Sequence, residues 1–340
     1  MCVEVLDDRC ACVAASEPGV AQALERVRSP ARIRRLHLDD DSRSHQRATL
    51  AVVKTRIVLI ILSLVVVAGC GVKPATVGSG STKVVAAFYP LAYAAEQAGG
   101  RTVTVENLTP AGAEPHDLEL TPRAVGDILD ADFVLYLGDG FQPAVARAVG
   151  NRTGPSLQFL GGNGSKMLVE AGTGAIDPHI WLDPHRYAAI VREIGRALER
   201  PQQAANLIAR LSLLDDELRR GLAHCARREI VTSHAAFGYL SLRYGLRQVP
   251  LEGLTPEAEP SAKAVQRLVG EVRRTHATTV FFETLVSPKL AQTVARAARA
   301  RTAVLNPIEG LTKDEAARGE DYFTVMRANL RSLREALGCR

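Results

Sequence analysis

The chain has 340 residues, 46% of them hydrophobic, and 42 Lys and Arg against 37 Asp and Glu give it a formal net charge of +5. Residues 70–340 hold 32 basic and 29 acidic side chains, a net of +3 with no concentrated basic run, so nothing indicates nucleic-acid binding. Setting aside residues 1–69 leaves 271, enough for two lobes of ordinary domain size.

Residues 1–52 are polar and Arg-rich, with Arg32, Arg34, Arg35 and the run Asp39-Asp40-Asp41. Next, Lys54 and Arg56 precede an apolar stretch from Ile57 to Ala68. A bilayer span needs roughly 20 apolar residues, so this stretch fits the core of a secretion signal better. Ala68-Gly69 before Cys70 looks like a bacterial lipoprotein processing site, which would make Cys70 the lipid-modified first residue of the mature chain. An uncleaved membrane helix is the alternative. A secretion signal begins close to its basic start. Residues 1–52 are therefore expected to be untranslated, with synthesis starting at Val52 or Val53 from a non-AUG codon, or else to form a disordered leader. Residues 53–69 then make the signal peptide, and 70–82, with Gly78-Ser-Gly-Ser, a tether to the membrane surface. Anchoring by two or more acyl chains is stable.

From Lys83 the pattern alternates. Lys83 to Tyr89 reads as a short buried strand, Leu91 to Gly99 as a helix, and Thr102 to Leu108 as a second strand. Thr121-Pro-Arg opens a helix with Pro in its first turn. Phe133 to Leu137 is a strand, Gly138-Asp-Gly140 a turn, and Asp183-Pro-His the start of another helix. From Pro201 to Ala226 the apolar positions Leu207, Leu211, Leu214 and Leu218 recur at spacings of three and four, the mark of a long helix joining two halves. Beyond it, strands are expected at Glu229–Thr232, Thr278–Phe282 and Thr302–Leu305, and helix from about Asp314 to Leu337. Strands alternating with helices predict an α/β fold with parallel sheets flanked by helices. The lobes are expected at 83–200 and 227–340, with 201–226 between them.

Four residues in turn-forming segments stand out: His116, His179, His234 and Glu309. His116, His234 and Glu309 each follow the carboxyl end of an expected strand, where open α/β sheets bind ligands. Three imidazoles and a carboxylate suit zinc, at roughly 2.0–2.2 Å per bond. Periodicity alone does not bring the four together. Glu283, at another strand end, is a competing carboxylate. Asp177 and Glu114 are candidates to orient a histidine, or ordinary cap and turn residues. His185, His224 and His276 read as surface histidines, and Trp181 as packing between lobes. Of six cysteines, Cys2, Cys10 and Cys12 lie in the leader and Cys70 is assigned to lipid. Cys225 and Cys339 remain. In an oxidising compartment they can pair as a disulfide; otherwise they are two thiols.

The segments 112–122, 177–184 and 233–239, with the lipoprotein signal, resemble the zinc/manganese group of solute-binding proteins of ABC transporters (the metal-binding cluster A-I family), zinc branch. The resemblance runs from about Lys83 to Gly338. It implies two lobes, each a mainly parallel four-stranded sheet, joined by one long rigid helix. It also implies capture of a divalent metal, most simply Zn2+, and delivery to an ABC permease by a lipid-anchored, extracytoplasmic monomer that is not an enzyme. By position, His116, His179 and His234 match the three histidine ligands and Glu309 the acidic fourth. The chain departs from many zinc members in having no histidine between Gly161 and Gly174. The manganese branch usually carries a carboxylate where His234 stands, and imidazole favours zinc or copper.

Other readings of the same site are a manganese-binding homologue, a surface adhesin of this fold and a zinc hydrolase. A hydrolase needs a metal-bound water and a general base, for which Glu283 or Glu309 would serve, but no His-Glu-x-x-His segment is present.

Overall fold

The computed structural model describes residues 81–161, 167–170, 174–255 and 262–340. The expected leader, the signal peptide, Cys70 and the tether as far as residue 80 lie outside them, while Thr82, expected at the end of the tether, opens the first strand. Among the described residues no helix is long and apolar enough to cross a membrane.

Strands β1 (Thr82–Ala86), β2 (Val103–Asn107), β3 (Phe133–Tyr136) and β4 (Ser156–Gln158) form one sheet in the order β2-β1-β3-β4. Every pairing is parallel, with Val84 opposite both Val105 and Phe133. Val84, Val85 and Ala86 are fully buried, as expected for a central strand covered on both faces. The strand is shorter than its apolar run because Pro90 favours a helix start, so Phe88 becomes the residue before helix α1 (Tyr89–Gly99). Helices α2 (Pro122–Asp130), α3 (Pro143–Val149) and α4 (Pro184–Ala197) complete this half of the chain. Thr121 Oγ1 accepts from Ala124 N–H and Asp183 Oδ1 from His185 N–H, each satisfying a first-turn donor.

Helix α5 (Pro201–Gly221) leads to the second half. Leu207, Leu211, Leu214 and Leu218 are all buried. The helix approaches α4 so closely that a Cβ on Gly195 would stand 2.3 Å from Ala204 Cβ. It stops before Ala226 because Arg228 takes the carbonyls of Leu222 and Ala223, at 2.8 and 2.7 Å. Cys225 is then drawn into a disulfide with Cys339, 114 residues away.

The second sheet repeats the first. Strands β5 (Glu229–Thr232), β6 (Arg247–Pro250), β7 (Thr279–Phe282) and β8 (Arg301–Val304) stand in the order β6-β5-β7-β8, again all parallel. Around them lie α6 (Gly238–Tyr244), α7 (Ala262–Arg274), α8 (Lys289–Ala298), α9 (Lys313–Ala317) and α10 (Tyr322–Leu337). The expected helix from Asp314 is broken at Arg318–Asp321. Gly319 takes φ 70° there, and Asp321 restarts the helix with a reciprocal cap to Thr324. The two parallel four-stranded sheets flanked by helices are the fold class the sequence leads one to expect.

One hydrophobic core runs through both halves, from Val84 and Phe88 to Phe281, Tyr322 and Leu333. A smaller one, with Val231, Val280 and Val294, fills the other side of the second sheet. Polar contacts tie the halves further. Tyr322 Oη donates to Trp181 O at 2.7 Å, and Tyr239 Oη to Asp177 O at 3.1 Å. Asp215 on α5 accepts from Arg243 at 2.9 and 2.7 Å and from Tyr244 at 2.9 Å.

Candidate metal centre

In a parallel sheet every strand delivers its following loop to the same edge, and this geometry assembles the site. His234 comes two residues after β5, and Glu309 five after β8. His116 lies on the long turn after β2, where Gly112, at φ 87°, donates its N–H to Leu311 O of the other half at 2.8 Å. His179 sits just before a single 3-10 turn, Ile180–Leu182, that leads into α4.

The four side chains converge. One donor atom from each of His116, His179, His234 and Glu309 lies within 4.8 Å of all the others. Glu309 Oε1 stands 3.5 Å from His116 Nε2, 3.0 Å from His179 Nε2 and 3.4 Å from His234 Nε2. The Nε2 atoms of His179 and His234 are 3.3 Å apart. Four ligands at roughly 2.0–2.2 Å from a tetrahedral centre would stand roughly 3.3–3.6 Å from one another, close to the separations of 3.0–3.5 Å that Glu309 Oε1 makes with the three histidines and His179 with His234. His179, His234 and Glu309 are at most 1% exposed. His116 Nε2 and Glu309 Oε2 are buried without a hydrogen-bond partner, a costly state that a bound cation relieves.

Further acids aim the rings. His179 Nδ1 lies 2.8 Å from Asp177 Oδ1, and His234 Nδ1 lies 2.6 Å from Glu283 Oε1. Ser233 Oγ also donates to Glu283. With both Nδ1 atoms engaged, both Nε2 atoms turn to the centre, the usual way a ligand tautomer is set. Glu283 is therefore not a rival for the fourth position but the partner of His234. The sequence offers only a weak sign of this, namely that Glu283 directly follows β7, the strand next to β5. His116 instead packs edge-on against Phe141, with ring centres 4.7 Å apart. His185, His224 and His276 stand outside the cluster.

Charge within the site is strongly displaced. Burial pushes the Glu309 carboxyl up, but the three histidines facing it outweigh burial and hold it well below the usual carboxylate range. Burial disfavours charge on His179, yet Asp177 and Glu309 raise its pKa above the ordinary imidazole value. His234 is raised further by Glu283 and Glu309, again against burial. Glu114, which accepts the His116 N–H, is pushed up to about 8 by burial and then by the charge on Glu309.

The turn bearing Glu309 is strained. Ile308 takes φ 58°, a region that β-branched residues avoid at a cost of about 1–3 kcal/mol. Trp181, 1% exposed, packs between the halves as expected and donates its indole N–H to Pro307 O at 2.7 Å.

Among known proteins, the chain is similar to the zinc-binding protein AdcA of Streptococcus pyogenes serotype M18, with 36% identity over 288 residues. That match covers 75% of the chain but only 56% of the relative, so the chain spans about half the length of that protein. The high-affinity zinc uptake system protein ZnuA of Bacillus subtilis is 31% identical over 316 residues, covering 82% of the chain and 96% of the relative. The crystal structure of the Zn(II)-bound ZnuA-like domain of Streptococcus pneumoniae AdcA superposes with a TM-score of 0.64 at 34% identity, covering 76% of the chain and 99% of that domain. The family model of the zinc-uptake complex component A, periplasmic, matches residues 84–336. With the same paired sheets and a three-histidine, one-glutamate cluster at their edges, the chain belongs to this ZnuA family.

Proposed function

We propose that this chain captures zinc outside the cytoplasm and passes it to an ABC permease for import. The observation that carries the reading is the convergence of His116, His179, His234 and Glu309, whose donor atoms all lie within 4.8 Å of one another. Three imidazoles with a single carboxylate favour zinc over manganese. Four protein donors complete a tetrahedral shell, whereas a catalytic zinc keeps a position for water, so the site supports binding rather than hydrolysis. Zinc-binding and zinc-uptake proteins among the relatives support the same cargo.

The deciding experiment is metal analysis of the chain purified without added metal, followed by titration with zinc and manganese beside the His116→Ala/His234→Ala variant. One zinc per chain, absent from the variant and not displaced by manganese, is the expected result. Binding that survives in the variant sinks the reading and brings the adhesin alternative forward.

Lipid anchoring through Cys70 belongs to the same proposal and rests on the Ala68-Gly69-Cys70 segment behind its apolar run. Mass spectrometry of membrane-extracted protein should find an acylated Cys70 as the first residue. Peptides from residues 1–47 would refute the untranslated-leader reading.

A further inference from the structure

Ile308 is the one residue with left-handed backbone adjoining a member of the donor cluster; the other non-glycine positive-φ residues among those described are Asp139, Glu199, His276 and Arg299. Its side chain is fully buried in the core shared by both halves. Such a conformation persists only where the surroundings over-determine it.

Two sets of restraints act on this turn. From the second half, Ile308 N–H donates to Asn306 Oδ1 at 2.7 Å. Asn306 is itself fixed. Its N–H donates to Asn329 Oδ1 at 2.8 Å, and its carbonyl accepts from Asn329 Nδ2 at 2.6 Å. Its side-chain amide donates to Thr284 Oγ1 at 3.0 Å and Glu315 Oε1 at 3.2 Å. From the first half comes the Trp181 indole N–H on Pro307 O, at 2.7 Å. That ring is wedged against Phe88, with centres 4.9 Å apart, and against His179, with centres 5.2 Å apart. One indole thus touches the His179 ring and holds the peptide next to Glu309.

We propose that Trp181 is the positioning residue for Glu309: its indole N–H, supplied by the half that carries His116 and His179, holds the strained Ile308 turn closed, and loss of that contact lets Ile308 relax and withdraws the carboxylate from the metal. The inference rests on the zinc-capture reading above. It makes Glu309 the ligand that leaves first, because the backbone beside it alone among the four ligand segments is held in a left-handed, non-glycine conformation. It also requires little movement. A hydrogen bond at 2.7 Å is lost when its partners part by about 1 Å, so a slight shift between the halves is enough to open the turn.

The test is a double-mutant cycle read as the rate of zinc loss into excess chelator, on the full chain. Trp181→Phe keeps an aromatic ring and removes the N–H donor. Ile308→Ala and Ile308→Gly leave nearly the same hole in the core, but only alanine has a Cβ opposing the left-handed backbone. Trp181→Phe should speed zinc loss about tenfold in the wild-type and Ile308→Ala backgrounds, and at most about twofold in the Ile308→Gly background, where no strain remains to be released. Equal acceleration in both variant backgrounds, or none in either, overturns the proposal and leaves Trp181 a packing residue. If Trp181→Phe does not fold, the Ile308 pair decides: zinc must leave Ile308→Gly more slowly than Ile308→Ala, and an equal or reversed order overturns the idea. A wild-type chain that binds no zinc sinks the capture reading and this inference together. A zinc-binding wild type with an additive cycle sinks this inference alone.

Discussion

Glu309 and His179 are 130 residues apart in sequence, yet Glu309 Oε1 and His179 Nε2 stand 3.0 Å apart in a site closed to solvent. One side chain follows the last strand of the second sheet and the other precedes α4 of the first half. On the zinc-capture reading, a metal held between them would bridge the two halves, and zinc binding should raise the stability of the fold by mass action.

The orienting acids should matter for affinity although neither belongs to the four-donor cluster. Glu283→Gln and Asp177→Asn each weaken the hold on one histidine ring. Each is expected to lower zinc affinity by about 10–100-fold while stoichiometry stays at one. Chelator competition measures this, and wild-type affinity in both variants would show that packing alone aims the rings.

Protons compete with zinc for the same nitrogens. Because His179 and His234 bind protons above the ordinary imidazole value, affinity should already fall as pH drops toward neutrality and fall further below it. Glu309, held ionised, adds nothing in that range. Calorimetry in buffers of different ionisation heat should show proton release on zinc binding. A buffer-independent heat at neutral pH would contradict the assignment.

Asp215 gives the fold an acid limit. Burial raises its carboxyl pKa, but bonds from Arg243 and Tyr244 outweigh this and hold it below its ordinary value of 3.8. A depressed folded pKa contributes stability that is present above the unfolded value and lost as pH falls through the folded one. Asp215→Asn should cost on the order of 2 kcal/mol at neutral pH. The gap from wild type should begin to narrow below about pH 4 and close only as pH falls through the lower folded value. Denaturant melts at both pH values test this, and a pH-independent gap would assign the effect to packing.

The Cys225–Cys339 bridge pins the turn after α5 to the chain's final residues, at the end of β5 remote from His234. Closing so long a loop is worth on the order of 5 kcal/mol in the chain-entropy account. Reduction should therefore lower the melting temperature and leave zinc affinity unchanged. Zinc loss on reduction, with the fold intact by circular dichroism, would contradict this separation.

Much of the fold was legible because local chemistry repeats along the chain. Apolar runs ending in turns mark β1, β3, β5 and β7, and the spacing of Leu207, Leu211, Leu214 and Leu218 marks α5. Less visible were β4 and β6. Ser156–Gln158 has three residues and no buried one, and Arg247–Pro250 carries charge and a proline at an edge strand.

By itself the sequence determined which side chains can ligate, that three of them follow strand ends, and that the chemistry is three imidazoles with one carboxylate. Only the tertiary structure decided that these donors meet, that Glu283 serves His234, and that Trp181 reaches the peptide beside Glu309. The reason is physical. Strand and helix preferences act over a few residues and show in the sequence. A 3 Å approach between side chains on separate sheets is set by how the two halves pack around a common core, and no local pattern records it.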